Sequence, residues 1–129
     1  MNLPLIPGLV VVVDDVEANR ELAQATLEMI GWDVRAFSNG TDALAFLDQV
    51  VPEAMLLDVR MPEIGGEQVL AELRARPATR SLRVVAYTAH ALPDEIAGFR
   101  AAGFDEVLIK PARVADMRRV LPRPAARAA

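Results

Sequence analysis

Apolar and polar positions along this chain fall into blocks whose period switches between that of a strand and that of a helix. Residues 9–13, "LVVVV", form a continuous β-branched run, the pattern of a strand covered on both faces. From Glu17 to Ile30 the period changes. Leu22, Ala23, Thr26, Leu27 and Ile30 share one helical face, and Gly31 is a natural stop. "DVRAF" at 33–37 predicts a short, more polar strand suited to a sheet edge. "SNGTDALAFLDQ" then supplies a turn, a Thr or Asp cap and a short helix.

The cycle continues. "AMLLD" predicts a buried strand, and "GEQVLAELRAR" a helix with Val69, Leu70 and Leu73 inward. "LRVVAYT" is a fourth strand. "PDEIAGFRAAG" opens with Pro93 and acidic residues, as helix N-termini do, and closes at Gly103. "EVLIK" is a fifth strand, and "RVADMRRVL" a last short helix stopped by Pro122. Strands alternating with helices predict an α/β fold, a doubly wound five-stranded parallel sheet with helices on both faces. The apolar central strands and the polar "DVRAF" favour the strand order 2-1-3-4-5.

Ligands in such sheets sit at the carboxyl ends of the strands. Strand one ends in Asp14-Asp15, strand three in Asp58, strand four in Thr88 and strand five in Lys110. In a parallel sheet these ends share one edge, so three carboxylates, a hydroxyl and an ammonium are expected to converge. Carboxylates that close repel, and one would stay protonated unless a cation joined them. Hard oxygen ligands suit Mg²⁺, which commonly binds through carboxylates plus phosphate oxygens. Such a cleft can hold a phosphoryl group, and Asp58 is the expected acceptor, since a carboxylate is a known covalent nucleophile. The plain alternatives are a helix-capping role for Asp14 or Asp15, and ordinary strand-end roles for Thr88 and Lys110.

Composition narrows the remaining classes. The chain has 129 residues, enough for one domain, and a net charge of −4, which argues against general nucleic-acid binding. Without cysteine, disulfides and thiolate metal sites are excluded. No run approaches the length of a membrane span, and the start "MNLPLIPG" lacks the features of a signal peptide, so a cytoplasmic location is expected.

The motifs "VVVVDDVEANRELA", "MLLDVRMPEIGG", "VVAYTAHA" and "GFDEVLIKPA" together resemble the receiver domain of two-component response regulators, a flavodoxin-like fold. The resemblance covers residues 8–121, leaving 1–7 as an N-terminal extension and 122–129 as a Pro/Ala/Arg tail. It implies that Asp58 accepts a phosphoryl group from a phosphohistidine on a histidine kinase or histidine phosphotransfer protein. Asp15, Asp58, the backbone carbonyl of Arg60 and, through water, Asp14 would ligate Mg²⁺. Thr88 would carry the switch, Lys110 would bridge phosphate and the acidic pair, and Lys110-Pro111 would be cis. Ala89 would leave room for the phosphoryl group, and Arg60 and His90 would tune its lifetime.

One position departs from the family pattern. Three residues before the lysine, where Tyr or Phe is usual, stands Val107, so signalling by rotation of an aromatic ring is put in doubt. The helix-four surface with Ile96 and Phe99 is then expected to respond less or by another route. Glu17, Asn19, Arg20 and Pro111 surround the cleft as the expected docking surface for the phosphodonor. Trp32 is read as a corner packing residue and the methionines as core filler. Because the sequence stops soon after the fifth helix, the expected function is that of a single-domain response regulator acting on an unidentified protein target or passing the phosphoryl group onward. The resemblance implies a signalling domain rather than a turnover enzyme. A weak homodimer through Asp94, Arg100, Asp116 and Arg118 is left open, as is a receiver-like module that binds without phosphorylation. A haloacid dehalogenase-type phosphatase would need Asp where Arg60 stands.

Overall fold

Each block becomes the element its period predicts. A computed structural model, which describes residues 3–122, gives β1 (Leu5–Val13), α1 (Glu17–Ile30), β2 (Asp33–Phe37), α2 (Gly40–Leu47) and β3 (Val51–Asp58), followed by α3 (Gly66–Ala75), β4 (Arg83–Thr88), α4 (Pro93–Ala102), β5 (Glu106–Ile109) and α5 (Val114–Val120). All neighbouring strands pair in parallel, in the order β2-β1-β3-β4-β5. This is the flavodoxin-like arrangement.

Alternation along the strands divides the core in two. Val11, Val13, Met55, Leu57, Val84, Ala86 and Val107 pack under α2, α3 and α4 with Leu47, Leu70 and Leu73. Val10, Val12, Leu56, Val85, Tyr87 and Leu108 point the other way, onto Leu27, Ile30, Met117 and Val120 of α1 and α5. Both faces being covered is why these strands read as unbroken apolar runs. Trp32 is buried at the corner after α1, and its indole N–H donates to the Leu121 carbonyl at 3.3 Å. Among the described residues, no helix is long and apolar enough to cross a membrane.

The structure corrects several local expectations. β1 starts at Leu5, so residues 5–7 of the expected N-terminal extension are strand, with Leu5 opposite Val51 and Ile6 opposite Pro52. A register shift between Ile6 and Val10 separates this piece from the apolar run. Gly8 sits there at φ 78°, and its N–H donates to Glu53. The cap of α2 is Asn39, whose side chain accepts from the Asp42 N–H at 2.8 Å, rather than a Thr or Asp. Leu22 lies outside the buried stripe and is half exposed, because Ala23, Thr26, Leu27 and Ile30 already complete the contact with the sheet. Met55 and Met117 are core residues, but Met29 is exposed. Of the tail, only Pro122 falls within the described residues.

Arg74, near the end of α3, does what no local pattern announces. Its guanidinium donates to the carbonyls of Thr79, Arg80, Leu82 and Gly103 and to the Asp105 carboxylate. The Asp105 carboxylate also accepts from the Val84 N–H at 2.7 Å. One side chain thus ties the turns that launch β4 and β5. Arg74→Leu keeps the apolar stem and leaves the carbonyls unpaired. It should lower stability by about 2 kcal/mol and Tm by roughly 5–10 °C. Arg74→Lys should recover little, since a single ammonium cannot span carbonyls on two separate turns. Thermal unfolding followed by circular dichroism reads both changes.

Candidate functional site

The carboxyl ends of β1, β3, β4 and β5 meet at one edge of the sheet. Asp14 follows β1, Asp58 ends β3, Thr88 ends β4 and Lys110 follows β5. The Lys110 ammonium stands 2.7 Å from Asp14 Oδ2 and 3.3 Å from Asp58 Oδ2. Asp14 is fully buried and Asp58 nearly so. Asp15, the third carboxylate, is exposed at the rim, and ligand oxygens of Asp14, Asp15 and Asp58 lie within 4.8 Å of one another. Asp15, Asp58 and Lys110 border a cleft of about 240 Å³ lined also by Val16, Asn19, Arg60, Thr88, Ala89 and His90, with Asp14 buried behind it. A larger concavity, about 800 Å³, lies at the opposite end around Leu3, Val51 and Pro77. It holds no comparable cluster of carboxylates, so the small cleft is the chemical one.

The turns around this edge are tightly built. Asp14 Oδ1 accepts from the Val16 N–H at 2.9 Å, bending the chain out of β1. Asp14 therefore shapes the loop and does not cap α1, whose cap residue Val16 makes no side-chain bond. Asp58 Oδ1 accepts from the Arg60 N–H at 3.2 Å. Gly66, at the start of α3, packs directly on this strand end. A Cβ there would run into the Asp58 carbonyl and come within 2.8 Å of Val59 Cα. Only glycine lets α3 seat against the end of β3 without displacing Asp58.

Burial and charge together set the titration of the site. Burial, the largest influence, raises Asp58 to about 6 from its ordinary 3.8; Lys110 opposes this, and Asp14 and Asp15 add to it. For Lys110, burial disfavours the charge, but the Asp14 and Asp58 carboxylates outweigh it and hold the ammonium above its usual range. One cation among three carboxylates leaves the cleft short of positive charge. Asp14 Oδ2 is the one buried side-chain oxygen among the described residues without a well-formed hydrogen bond. An all-oxygen, electron-rich set of this kind fits a hard divalent cation.

The other anticipated residues are placed as follows. The Thr88 hydroxyl donates to the His90 carbonyl at 3.0 Å, so it is turned along the β4–α4 loop. Ala89 and His90 are exposed on the cleft wall. The Arg60 side chain leaves the cleft to pair with Glu95 of α4 at 3.0 Å. Asn19 lines the cleft, Glu17 is exposed beside it, and Arg20 donates to the Asp14 carbonyl at 2.9 Å. Pro111 is exposed after a cis Lys110-Pro111 bond. Val107 is buried away from the cleft, among the residues under α3 and α4.

Two expectations about α4 and α5 change. Phe99 belongs to the core, in edge contact with Phe104, and offers little to a surface. Arg100 already pairs with Glu106, and Asp116 accepts from the Arg113 N–H, so two of the four charges considered for a dimer are used within the chain. The sequence reading assigned no role to Val16, which lines the cleft, or to Tyr87, whose ring lies beneath Lys110. The adjacency of Tyr87 to Thr88 was the available signal.

A doubly wound sheet with an acidic pocket and a lysine at its switch-point edge defines a flavodoxin-like signalling domain. Over residues 10–121 the chain matches the model of the response regulator receiver domain, and it belongs to that family, the receiver domains of two-component systems. It is 39% identical over 105 residues to the sensor protein GacS of Pseudomonas syringae, covering 79% of this chain but only 12% of that protein's length. The receiver domain of sensor histidine kinase PA1611 from Pseudomonas aeruginosa, solved with magnesium coordinated in its active-site cleft, superposes with a TM-score of 0.82 at 28% identity over 92% of this chain and 97% of that one. The chemotaxis regulator CheY4 of Vibrio cholerae shares the fold, with a TM-score of 0.84 at 24% identity over 92% and 98% of the two chains.

The raised Asp58 predicts a pH dependence of stability. Between about pH 4 and 6 the folded chain retains a proton that the unfolded chain has lost, so stability falls as pH rises through that window. Asp58→Asn removes this contribution. In metal-free buffer the variant should exceed wild type by about 3 kcal/mol at neutral pH, with little difference below about pH 4. Urea unfolding across that range measures the gap.

Proposed function

We propose that this receiver domain takes a phosphoryl group onto Asp58 from a phosphohistidine of a histidine kinase or histidine phosphotransfer protein. The observation that carries the reading is the recessed Asp58 carboxylate, with Lys110 at 3.3 Å and the cleft open in front of it. An oxygen of Asp58 attacks phosphorus as the N–P bond breaks. The imidazole leaves, and its nitrogen takes a proton from solvent. Lys110 follows the negative charge onto the phosphoryl oxygens, and the exposed Ala89 leaves that side of the cleft open. Thr88 exchanges its bond to the His90 carbonyl for one to the phosphoryl group, which frees the β4–α4 loop.

Asp14, Asp15, Asp58 and the backbone carbonyl of Arg60 would hold Mg²⁺, which when bound offsets charge on the acceptor and phosphoryl oxygens. The magnesium in the cleft of the similar PA1611 receiver supports this choice of metal. Asn19 in the cleft lining, exposed Glu17 and Pro111, and Arg20 beside the acidic loop form the rim that an incoming histidine must cross. Output passes through contact with a target protein or by onward transfer.

Intact mass after incubation with Mg²⁺ and acetyl phosphate tests the reading. Wild type should gain one phosphoryl group, lost on adding a chelator before the donor and absent in Asp58→Asn. A folded wild type that binds Mg²⁺ and gains no mass would instead favour a module that binds without phosphorylation. His90→Ala should change the lifetime of the adduct several-fold while leaving its formation intact, since His90 stands on the wall and not against Asp58. Complete loss of phosphorylation in His90→Ala would show that His90 takes part in transfer.

A further inference from the structure

The chain has one tyrosine and one lysine, and the fold stacks them. The Lys110 ammonium lies 5.0 Å from the centroid of the Tyr87 ring, inside the roughly 6 Å over which a cation is drawn to a ring face. Tyr87 is only 2% exposed, packed in the cluster with Leu108, Met117 and Val120 on the α1 and α5 side of the sheet. Burial raises the Tyr87 phenol above its ordinary range, an effect that the backbone amide of Ala112, two residues beyond Lys110, opposes. Ala112 itself packs against the same cluster. One buried ring therefore lies beneath the ammonium of Lys110 and in the same cluster that Ala112 of the following loop packs against. Val107 lies on the opposite face of the sheet and can do neither.

A lysine side chain has many rotamers, and the two carboxylates fix only the position of its nitrogen. A flat, immobile ring below adds a second constraint, because the cation keeps contact with it over a limited set of stem conformations. Burial confines the ring, and the strand register fixes the backbone that carries it. Tyr87 sits opposite Leu108 in the β4–β5 ladder, and its carbonyl accepts from the Val59 N–H at 3.2 Å, just beyond the acceptor aspartate.

We propose that Tyr87 is a positioning residue for phosphoryl transfer, holding Lys110 over Asp58 and linking movement of the ammonium to the β5–α5 loop through Ala112. This rests on the phosphoacceptor reading of the cleft. It places the aromatic partner of the site on the α5 side, where Val107 leaves the α4 side without one. When Lys110 shifts toward a phosphoryl group, it moves across the ring, and the loop at Pro111 and Ala112 registers the change.

Two measurements on the full chain test this. With lysine labelled in carbon-13, a single ε-methylene signal reports Lys110. Its protons should be shifted upfield by the ring in wild type and in Tyr87→Phe, and lie at the position of free lysine in Tyr87→Leu. The Mg²⁺-dependent rate of phosphorylation by acetyl phosphate should fall about tenfold in Tyr87→Leu. Mg²⁺ affinity should stay unchanged, and Tyr87→Phe should restore most of the rate. A purely structural loss would lower metal affinity along with rate and would not be rescued through the ring alone. A wild-type lysine signal at the free position, or a Tyr87→Leu rate equal to wild type, overturns the proposal. If Tyr87→Leu fails to fold, Tyr87→Met takes its place, and the wild-type signal still decides whether the ring faces the ammonium. A wild type that accepts no phosphoryl group defeats the reading of the cleft, which the lysine signal does not depend on.

Discussion

Lys110 stands between Asp14 and Asp58 and supplies the positive charge that faces both buried carboxylates. That placement reaches back through the fold. The ammonium arrives from the end of β5, the outermost strand, and must cross β4 to reach carboxylates that leave β1 and β3. A parallel sheet makes this reach short because all four strand ends emerge together. An antiparallel arrangement would send half of them to the other edge. The backbone supports the crossing, since the Lys110 N–H donates to the Thr88 carbonyl at 2.8 Å and carries the ladder one residue past β5.

The same constraint accounts for the close fit nearby. Asp58 is useful only if it stays fixed while its surroundings carry an excess of negative charge. Gly66 brings α3 flush against its backbone, and the bond from the Arg60 N–H holds one oxygen. Farther off, Arg74 fixes the starts of β4 and β5, the strands that deliver Thr88 and Lys110. Stability at the amino end of the sheet thus becomes precision at its carboxyl end. Glu95 belongs to the same economy of groups, one oxygen accepting from the Leu92 N–H at the start of α4 and the other pairing with Arg60 beside Asp58.

Most of this fold was legible because a strand covered on both faces must be apolar throughout. The polar residues that end such runs therefore stood out: Asp14, Asp58, Thr88 and Lys110. Helix bounds were readable where glycine or proline marked them, as at Gly31 and Pro93. What could not be read depends on partners distant in sequence. Arg74 looks like any helical arginine until the turns at 79–82 and 103–105 fold around it. Leu22 fits the apolar stripe of α1, yet whether a border position is covered depends on how far the sheet extends beneath it. Tyr87 looked like a strand residue, and only the β4–β5 pairing brings its ring under Lys110.

The other cationic side chains of this sequence are arginines, so beyond the α-amino group the chain offers a single primary amine, and the fold places it in the cleft with its side chain 11% exposed. A guanidinium is inert to acylating and aldehyde reagents under mild conditions; an ammonium that releases its proton is not. Apart from the α-amino group, amine-directed labelling that elsewhere decorates a whole surface is thereby directed to this cleft. The pace at which such a reagent reaches Lys110 becomes a chemical gauge of what occupies the space in front of Asp58.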